Sequence, residues 1–309
     1  MQGVPEQFDA PTDRAEFRRA AGHQGVELYR AHIVRHQFAP HVHDGYGLGV
    51  IEAGQERFDY RGREHLAPAG AIVLMQPGEL HTGGPASPQG WRYRMLYLDE
   101  AVLSQHLGGE PTWRFDSAVW QGDPVRAASI ARGLSALWLA RSADAADAAL
   151  AQVLALLAPL AAGHRHEASA QPAGARPFQR VVDALHAELS REWRLNELAA
   201  LVGLSPFHFQ RAFKAAHGIT PHQWRMALRV AEAKRLLGRG EPAAEVAAAV
   251  GLADQAHLTR RFAGMYGVTP ARYQRQVEAA APPAGGGAVR RPARPAAPAP
   301  RRQPVAPRG

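Results

Sequence analysis

An all-β N-terminal half followed by an all-α C-terminal half is the fold class that three observations predict. Short apolar segments cut by glycine and proline fill residues 26–120, helical apolar periodicity fills most of the chain beyond residue 120, and one helix–turn–helix pattern occurs twice. The repeat is the most informative of the three. ELAALVGLSPFHFQRAFKAAHGITP (197–221) aligns with EVAAAVGLADQAHLTRRFAGMYGVTP (245–270), matching Glu197 with Glu245, Gly203 with Gly251, Arg211 with Arg260 and Phe213 with Phe262. In each copy a short alanine-rich helix stops at a glycine, and Ser205 or Asp254 is placed to cap a second helix.

The second helix of the first copy has two faces. Phe209 and Phe213, four apart, belong in a core, while Phe207, Gln210, Arg211 and Lys214 fall at i, i+3, i+4 and i+7 on the other side. That outer set contains the side-chain types that read base edges and hold phosphates. Charge is divided accordingly. Lys+Arg against Asp+Glu is 15 to 19 in residues 1–175, 15 to 9 in 176–278 and 6 to 0 in 279–309, so the basicity sits on the repeat block and the tail.

Composition narrows the class further. At 309 residues, 46% hydrophobic and 21% charged, the chain has room for two cores of a soluble globular kind. The absence of cysteine removes disulfides, thiolate nucleophiles and thiolate metal sites. Residues 1–17 read as neither a signal peptide nor a span, so a cytoplasmic protein without a membrane partner is expected.

In chain order, residues 1–24 read as an N-terminal arm and 25–122 as a β-barrel, with turns expected at Gly54, Arg61-Gly62 and Pro77-Gly78. AVLSQHLG reads as a short helix, and 123–163 as two more, broken near Ser142. Leu134, Leu137 and Trp138, then Leu150, Val153, Leu154 and Leu157, recur at three and four; this stripe packs either on the parent barrel or on a second chain. Residues 164–177 read as a linker. Then come a helix at 178–190, the first copy, a connecting helix at 222–238, the second copy and a last helix ending by Val277. Residues 279–309, almost all Ala, Pro, Gly and Arg, read as a disordered tail.

Within the β-region, His41-Val42-His43 and the later stretch from Gly70 to His81 resemble the two sequence blocks of the cupin barrel. Metal-binding cupins add a glutamate a few residues after the first pair, but Gly47 and Leu48 stand there, with Asp44 and Glu52 off the spacing. Three imidazoles can still bind zinc or iron, yet the reading adopted is a metal-free pocket with no cofactor. Its candidate ligand-binding residues are His41, His43, Tyr46, His81 and Tyr93, with Tyr60 and Trp91 as further stacking surfaces.

The C-terminal hundred residues, through GLSPFHFQRAFK, AKRLL and VGLADQAHLTRRFAGMYGVTPARYQRQ, resemble the AraC/XylS-type transcription regulators. The resemblance implies a cupin-like sensor barrel, a helical dimerisation segment, a linker and two helix-turn-helix units. It places Phe207, Gln210 and Arg211 of the first unit and Ala256, His257 and Arg260 of the second toward bases, with Lys214 and Arg261 on phosphates. The expected protein is not an enzyme. It is a sequence-specific regulator controlled by a small-molecule effector, with double-stranded DNA, a second copy of itself and RNA polymerase as partners. Two other readings compete: a metal-dependent cupin enzyme using His41, His43 and His81, and a non-specific DNA binder driven by the tail.

Overall fold

Alternation in the first half becomes an antiparallel sheet, seen in a computed structural model that describes residues 10–107, 113–161 and 176–278. Nine strands form it: β1 (Arg14–Arg19), β2 (Val26–Ile33), β3 (Phe38–His41), β4 (Tyr46–Tyr60), β5 (Arg63–Pro68), β6 (Ile72–Met75), β7 (His81–Pro85), β8 (Trp91–Leu98) and β9 (Val119–Trp120). The main path runs β1-β2-β8-β4-β6-β9, and the second half of β4 leaves it to pair with β5 and β7, which carries β3. The sheet therefore folds over along one long strand.

Gly54, expected at a turn, lies inside β4 instead. Its φ is +71°, and a Cβ there would lie 2.0 Å from the Gly90 carbonyl oxygen, so only glycine permits β4 to bend here against β8. The actual turn is Arg61-Gly62, where φ values of +53° and +72° match the twist of a two-residue hairpin.

Residues 14–19, assigned from sequence to a loose arm, form an edge strand against β2. Ala15 and Phe17 alternate into the interior, and the buried Asp13 carboxylate accepts backbone N–H bonds from Val34, Arg35 and His36 at 2.7–3.2 Å. Two apolar groups in a charged stretch gave too short a pattern to read as a strand. Residues 1–9 of that arm, most of the 164–177 linker and the 279–309 tail lie outside the described residues.

Strands β2, β4, β6 and β8 present their two faces to two different cores. Along β8, Trp91, Tyr93 and Met95 point inward while Leu96 and Leu98 point outward, and along β4 Tyr46, Leu48 and Val50 join the outward set. Helices α2 (Pro124–Leu139) and α3 (Ala143–Leu157), which come after α1 (Glu100–Leu107), cover the outward face. Asp123 and Ser142 cap them by accepting from the N–H groups of Arg126 and Ala145. Leu134, Leu137, Trp138, Leu150, Val153, Leu154 and Leu157 are all buried here, so the stripe is used on the chain's own sheet. Residues Ala143–Leu160 are long and apolar enough to cross a membrane by composition, but their apolar side is this buried face.

The C-terminal half contains α4 (Gln179–Ala187), α5 (Leu195–Ala200), α6 (Pro206–His217), α7 (Pro221–Gly238), α8 (Ala243–Ala249), α9 (Gln255–Tyr266) and α10 (Pro270–Glu278). The pairs α5–α6 and α8–α9 are the two helix-turn-helix units, and α7 joins them. Ser205 and Asp254 accept from the N–H groups of His208 and His257 as caps. Arg229 of α7, 2% exposed, fastens the two units together. It donates to the carbonyls of Leu189, Ser190, Arg191 and Gly251, and to Glu192, at 2.7–3.1 Å. Gly251 has to be glycine: its φ is +75°, and a Cβ would meet the Ser190 carbonyl oxygen at 2.6 Å.

The two halves are not separate bodies on a linker. One continuous core contains Phe17, Tyr29, Trp91 and Tyr93 of the sheet together with Val230, Phe262, Met265, Tyr266 and Tyr273 of the helices.

Replacing Arg229 with Met strips donors from four backbone carbonyls, and denaturant unfolding should show a loss of roughly 3 kcal/mol or more. Lys at this position should recover little of that, because one ammonium cannot reproduce the guanidinium fork.

Candidate DNA interface and effector cavity

Burial of Phe209 and Phe213 at 0% exposure turns the opposite face of α6 to solvent. Gln210, Arg211 and Lys214 are exposed there, as are Ala256, Arg260 and Arg261 on α9, with His257 half-buried. Phe207 is 65% exposed and carries the Arg211 guanidinium 5.5 Å above its ring, which limits that side chain's freedom at the helix surface. Arg261 Nε lies 3.3 Å from His257 Nε2. Burial, then the cations of Arg261 and Arg260, lower the His257 pKa, which keeps the ring neutral and lets Nε2 accept from the Arg261 Nε–H. All eight residues expected at DNA thus lie on two corresponding helices, clear of the core.

The barrel interior brings His41, His43 and His81 together, since β3 and β7 pair with His41 directly opposite His81. Their ligand-capable nitrogens lie within 4.8 Å of one another. His41 Nδ1 is 2.8 Å from the Ala39 carbonyl oxygen and His81 Nδ1 is 3.0 Å from that of Glu79, an arrangement that makes each Nδ1 a donor and leaves Nε2 as a lone pair. Burial lowers all three pKa values, that of His81 to about 4, so the imidazoles are neutral. A neutral, convergent nitrogen set of this kind fits a zinc- or iron-class ion. Glu56, on β4, lines the same cavity, and burial pushes its carboxyl up to about 8.

Tyr93 lines this cavity, and Tyr46 does not. The Tyr46 ring lies on the outward face with Trp113 and Phe115, its hydroxyl donating to the Trp113 carbonyl at 3.2 Å. Side chains alternate along a strand, and Tyr46, Leu48 and Val50 of β4 face the helices, before the irregularity between Ile51 and Ala53 reverses the alternation and turns Phe58 and Tyr60 inward. Tyr60 and Trp91 are in the interior core, where the Tyr60 hydroxyl accepts from the Gln76 N–H. Tyr97 was legible in principle, at two-residue spacing from Met95 and four from Tyr93, and Tyr266 was not. That tyrosine comes from the end of α9, with its ring 5.6 Å from His41 and 5.8 Å from His43 and its hydroxyl donating to the Val42 carbonyl.

The space around the histidines is about 30 Å³, room for an ion or a water or two. A neighbouring cleft of about 300 Å³ lies between the sheet and α7, sharing His43, Tyr97 and Tyr266 with the cavity. Asp44 and Asp99 face Arg19, Lys234 and Arg239 across it, and burial raises both carboxyl pKa values. An organic molecule fits the cleft better than the histidine cavity.

A double-layered β-domain with a polar inner cavity, joined to two helix-turn-helix units, defines a ligand-binding DNA-binding protein. Residues 23–159 match the family model described as an AraC-like ligand binding domain, and residues 198–276 match a helix-turn-helix domain. The MmsAB operon regulatory protein of Pseudomonas aeruginosa is 28% identical over 285 residues, spanning 86% of this chain and 83% of that one. YbfI of Bacillus subtilis, named as an uncharacterized HTH-type transcriptional regulator, is 25% identical over 241 residues, spanning 76% and 86%. Apo ToxT of Vibrio cholerae superposes with a TM-score of 0.50 at 10% identity, covering 90% of this chain and all of that one, which is a likeness of fold. The chain belongs to the AraC-type transcription regulators: a DNA-binding regulator with an N-terminal ligand-binding domain.

Glu56 gives a pH signature. Because its folded pKa of about 8 lies above the ordinary 4.5, the unfolded chain releases a proton that the folded chain keeps, and this group's contribution to stability falls as pH rises between those values. Glu56→Gln should flatten that slope and be more stable than the parent at pH 8 in urea melts.

Proposed function

We propose that α6 and α9 each enter a major groove of one operator, and that an effector held between the sheet and α7 sets their relative placement. Phe207, Gln210 and Arg211 then meet base edges in one groove and Ala256, His257 and Arg260 in the other, while Lys214 and Arg261 hold phosphates. The observation that carries this reading is the pair of matched, exposed faces, each backed by a buried phenylalanine, on a block with 15 basic against 9 acidic residues. Ala256 offers only methyl contact, so the first unit carries more of the specificity.

The effector meets His43 on the wall that the cleft shares with the histidine cavity, and acts through it on His41, His81 and Tyr93 behind; Tyr46 has no part in it. Occupation is transmitted through Tyr266, which belongs to the cavity wall and to the recognition helix at once, to the extent that the effector binds one arrangement better than another. The protein works in the cytoplasm without turning over its ligand, as a homodimer that meets RNA polymerase at the promoter. The exposed Val125 and Leu139 of α2, 76% and 65% accessible, give the helical segment apolar surface for a second copy.

Selection from randomised duplexes tests the DNA assignment. Arg211→Ala and Arg260→Ala should each relax base preference in a different half of the site, with about 1–3 kcal/mol of discrimination lost; unchanged selectivity would sink the assignment.

A metal-dependent enzyme using His41, His43 and His81 is the alternative to this reading. Elemental analysis of the purified chain separates the two. Stoichiometric iron or manganese that disappears in His43→Ala and His81→Ala, together with unimpaired DNA binding in both, is the enzyme's signature; the regulator reading expects these variants to alter DNA occupancy.

A further inference from the structure

A third cavity, of about 480 Å³, lies on the other side of the domain seam. Arg18 of β1 and Arg141 of the α2–α3 turn face it from the β-domain, and Arg272 and Arg275 of α10 from the DNA-binding block. Four guanidinium groups converge on one concavity. Its one acid, Glu16, is bound to Arg30 at 2.6 Å. Among the described residues no carboxylate pairs with Arg18, Arg141 or Arg272, and Arg272 Nε is buried with no hydrogen-bond partner.

Such an arrangement is unfavourable as it stands. Burial, then the nearby charges of Arg141 and Arg30, push the Arg18 pKa down from its ordinary value. The walls also have an apolar part, the edges of Phe17 and Trp138. Gln276 is already engaged, its Oε1 accepting from the Phe17 N–H at 2.9 Å.

We infer that this cavity binds a small, multiply charged anion bearing phosphate or carboxylate groups, held by Arg18, Arg141 and Arg272. Guanidinium forks match both oxyanion types bidentately. The volume lies within the range of small-molecule sites, roughly 300–1,000 Å³, and the concavity is set into the seam between β1 and α10, with no lining residue from α6 or α9. Because its cations come from both halves, a bound anion ties α10 to the sheet. It is a second ligand site, separate from the histidine cavity and from the cleft against α7, and it stabilises the arrangement in which the halves are joined.

The experiment uses the full chain, with thermal melts and calorimetric titration in pyrophosphate or in citrate against sodium chloride at equal ionic strength. The expected result is a saturable rise in melting midpoint with at least one probe. Pyrophosphate alone assigns the phosphate class, and citrate alone the carboxylate class. Arg141 is exposed, so Arg141→Ala leaves the fold intact; it and Arg18→Ala should each weaken binding roughly tenfold, and Arg141→Glu should abolish it. A response equal to that of chloride, or one unchanged in these variants, overturns the inference. Displacement of the probe by duplex DNA, with DNA affinity lost in Arg18→Ala and Arg141→Ala, would also overturn it and make the cavity a phosphate contact of the duplex.

Discussion

A cation withdrawn from water at a domain seam must find a counter-charge, and Lys234 of α7 finds Glu27 of β2. The same carboxylate accepts from the Tyr273 hydroxyl at 2.7 Å, so two helices of the DNA-binding block are tied to one residue of the sheet. Rings of Phe17, Tyr97, Tyr266 and Tyr273 stand 5.1–5.4 Å from the ammonium and complete its surroundings. Removing the Glu27 carboxylate deprives the half-buried ammonium and the Tyr273 hydroxyl of their shared acceptor at once, which costs more than losing an exposed pair. The pair therefore specifies where α7 lies against the barrel.

That placement positions the other seam contacts. With α7 docked, the end of α9 closes the barrel cavity, and Tyr266 reaches the histidines and the Val42 carbonyl. Arg19 and Gln276 add cross-seam bonds, to the Gly238 carbonyl and from the Phe17 N–H. Arg229 performs the corresponding task inside the DNA-binding block, where its guanidinium satisfies carbonyls from the end of the first helical segment and from the second unit's turn. Both cations are on α7, and both serve the architecture. Arg211 and Lys214 on α6 and Arg260 and Arg261 on α9, by contrast, are exposed.

The helix-turn-helix units were legible residue by residue. Glycine at a left-handed turn, a capping side chain and phenylalanines four apart are local requirements, and each one constrains its own few residues whatever the rest of the chain does. Strand faces were less legible. The reading of Tyr46 as a cavity residue failed on a one-residue ambiguity that inverts inside and outside, and the edge strand at 14–19 carried too few apolar groups to show its period. For the stripe on α2 and α3, periodicity said that it must be buried; what covers it, the chain's own sheet, is a matter of packing.

Local chemistry thus fixed the elements, the repeat, the exposed faces of α6 and α9 and the candidate histidines, because helix periodicity and turn stereochemistry act over a few residues. Distances across the chain were decided by the assembled structure. The convergence of His41 with His81, the entry of Tyr266 into their cavity, the Lys234–Glu27 pair and the four arginines at the seam join positions with no periodic relation in the sequence. Packing and charge neutralisation are satisfied by whichever groups the fold brings together, and no local pattern records which those are.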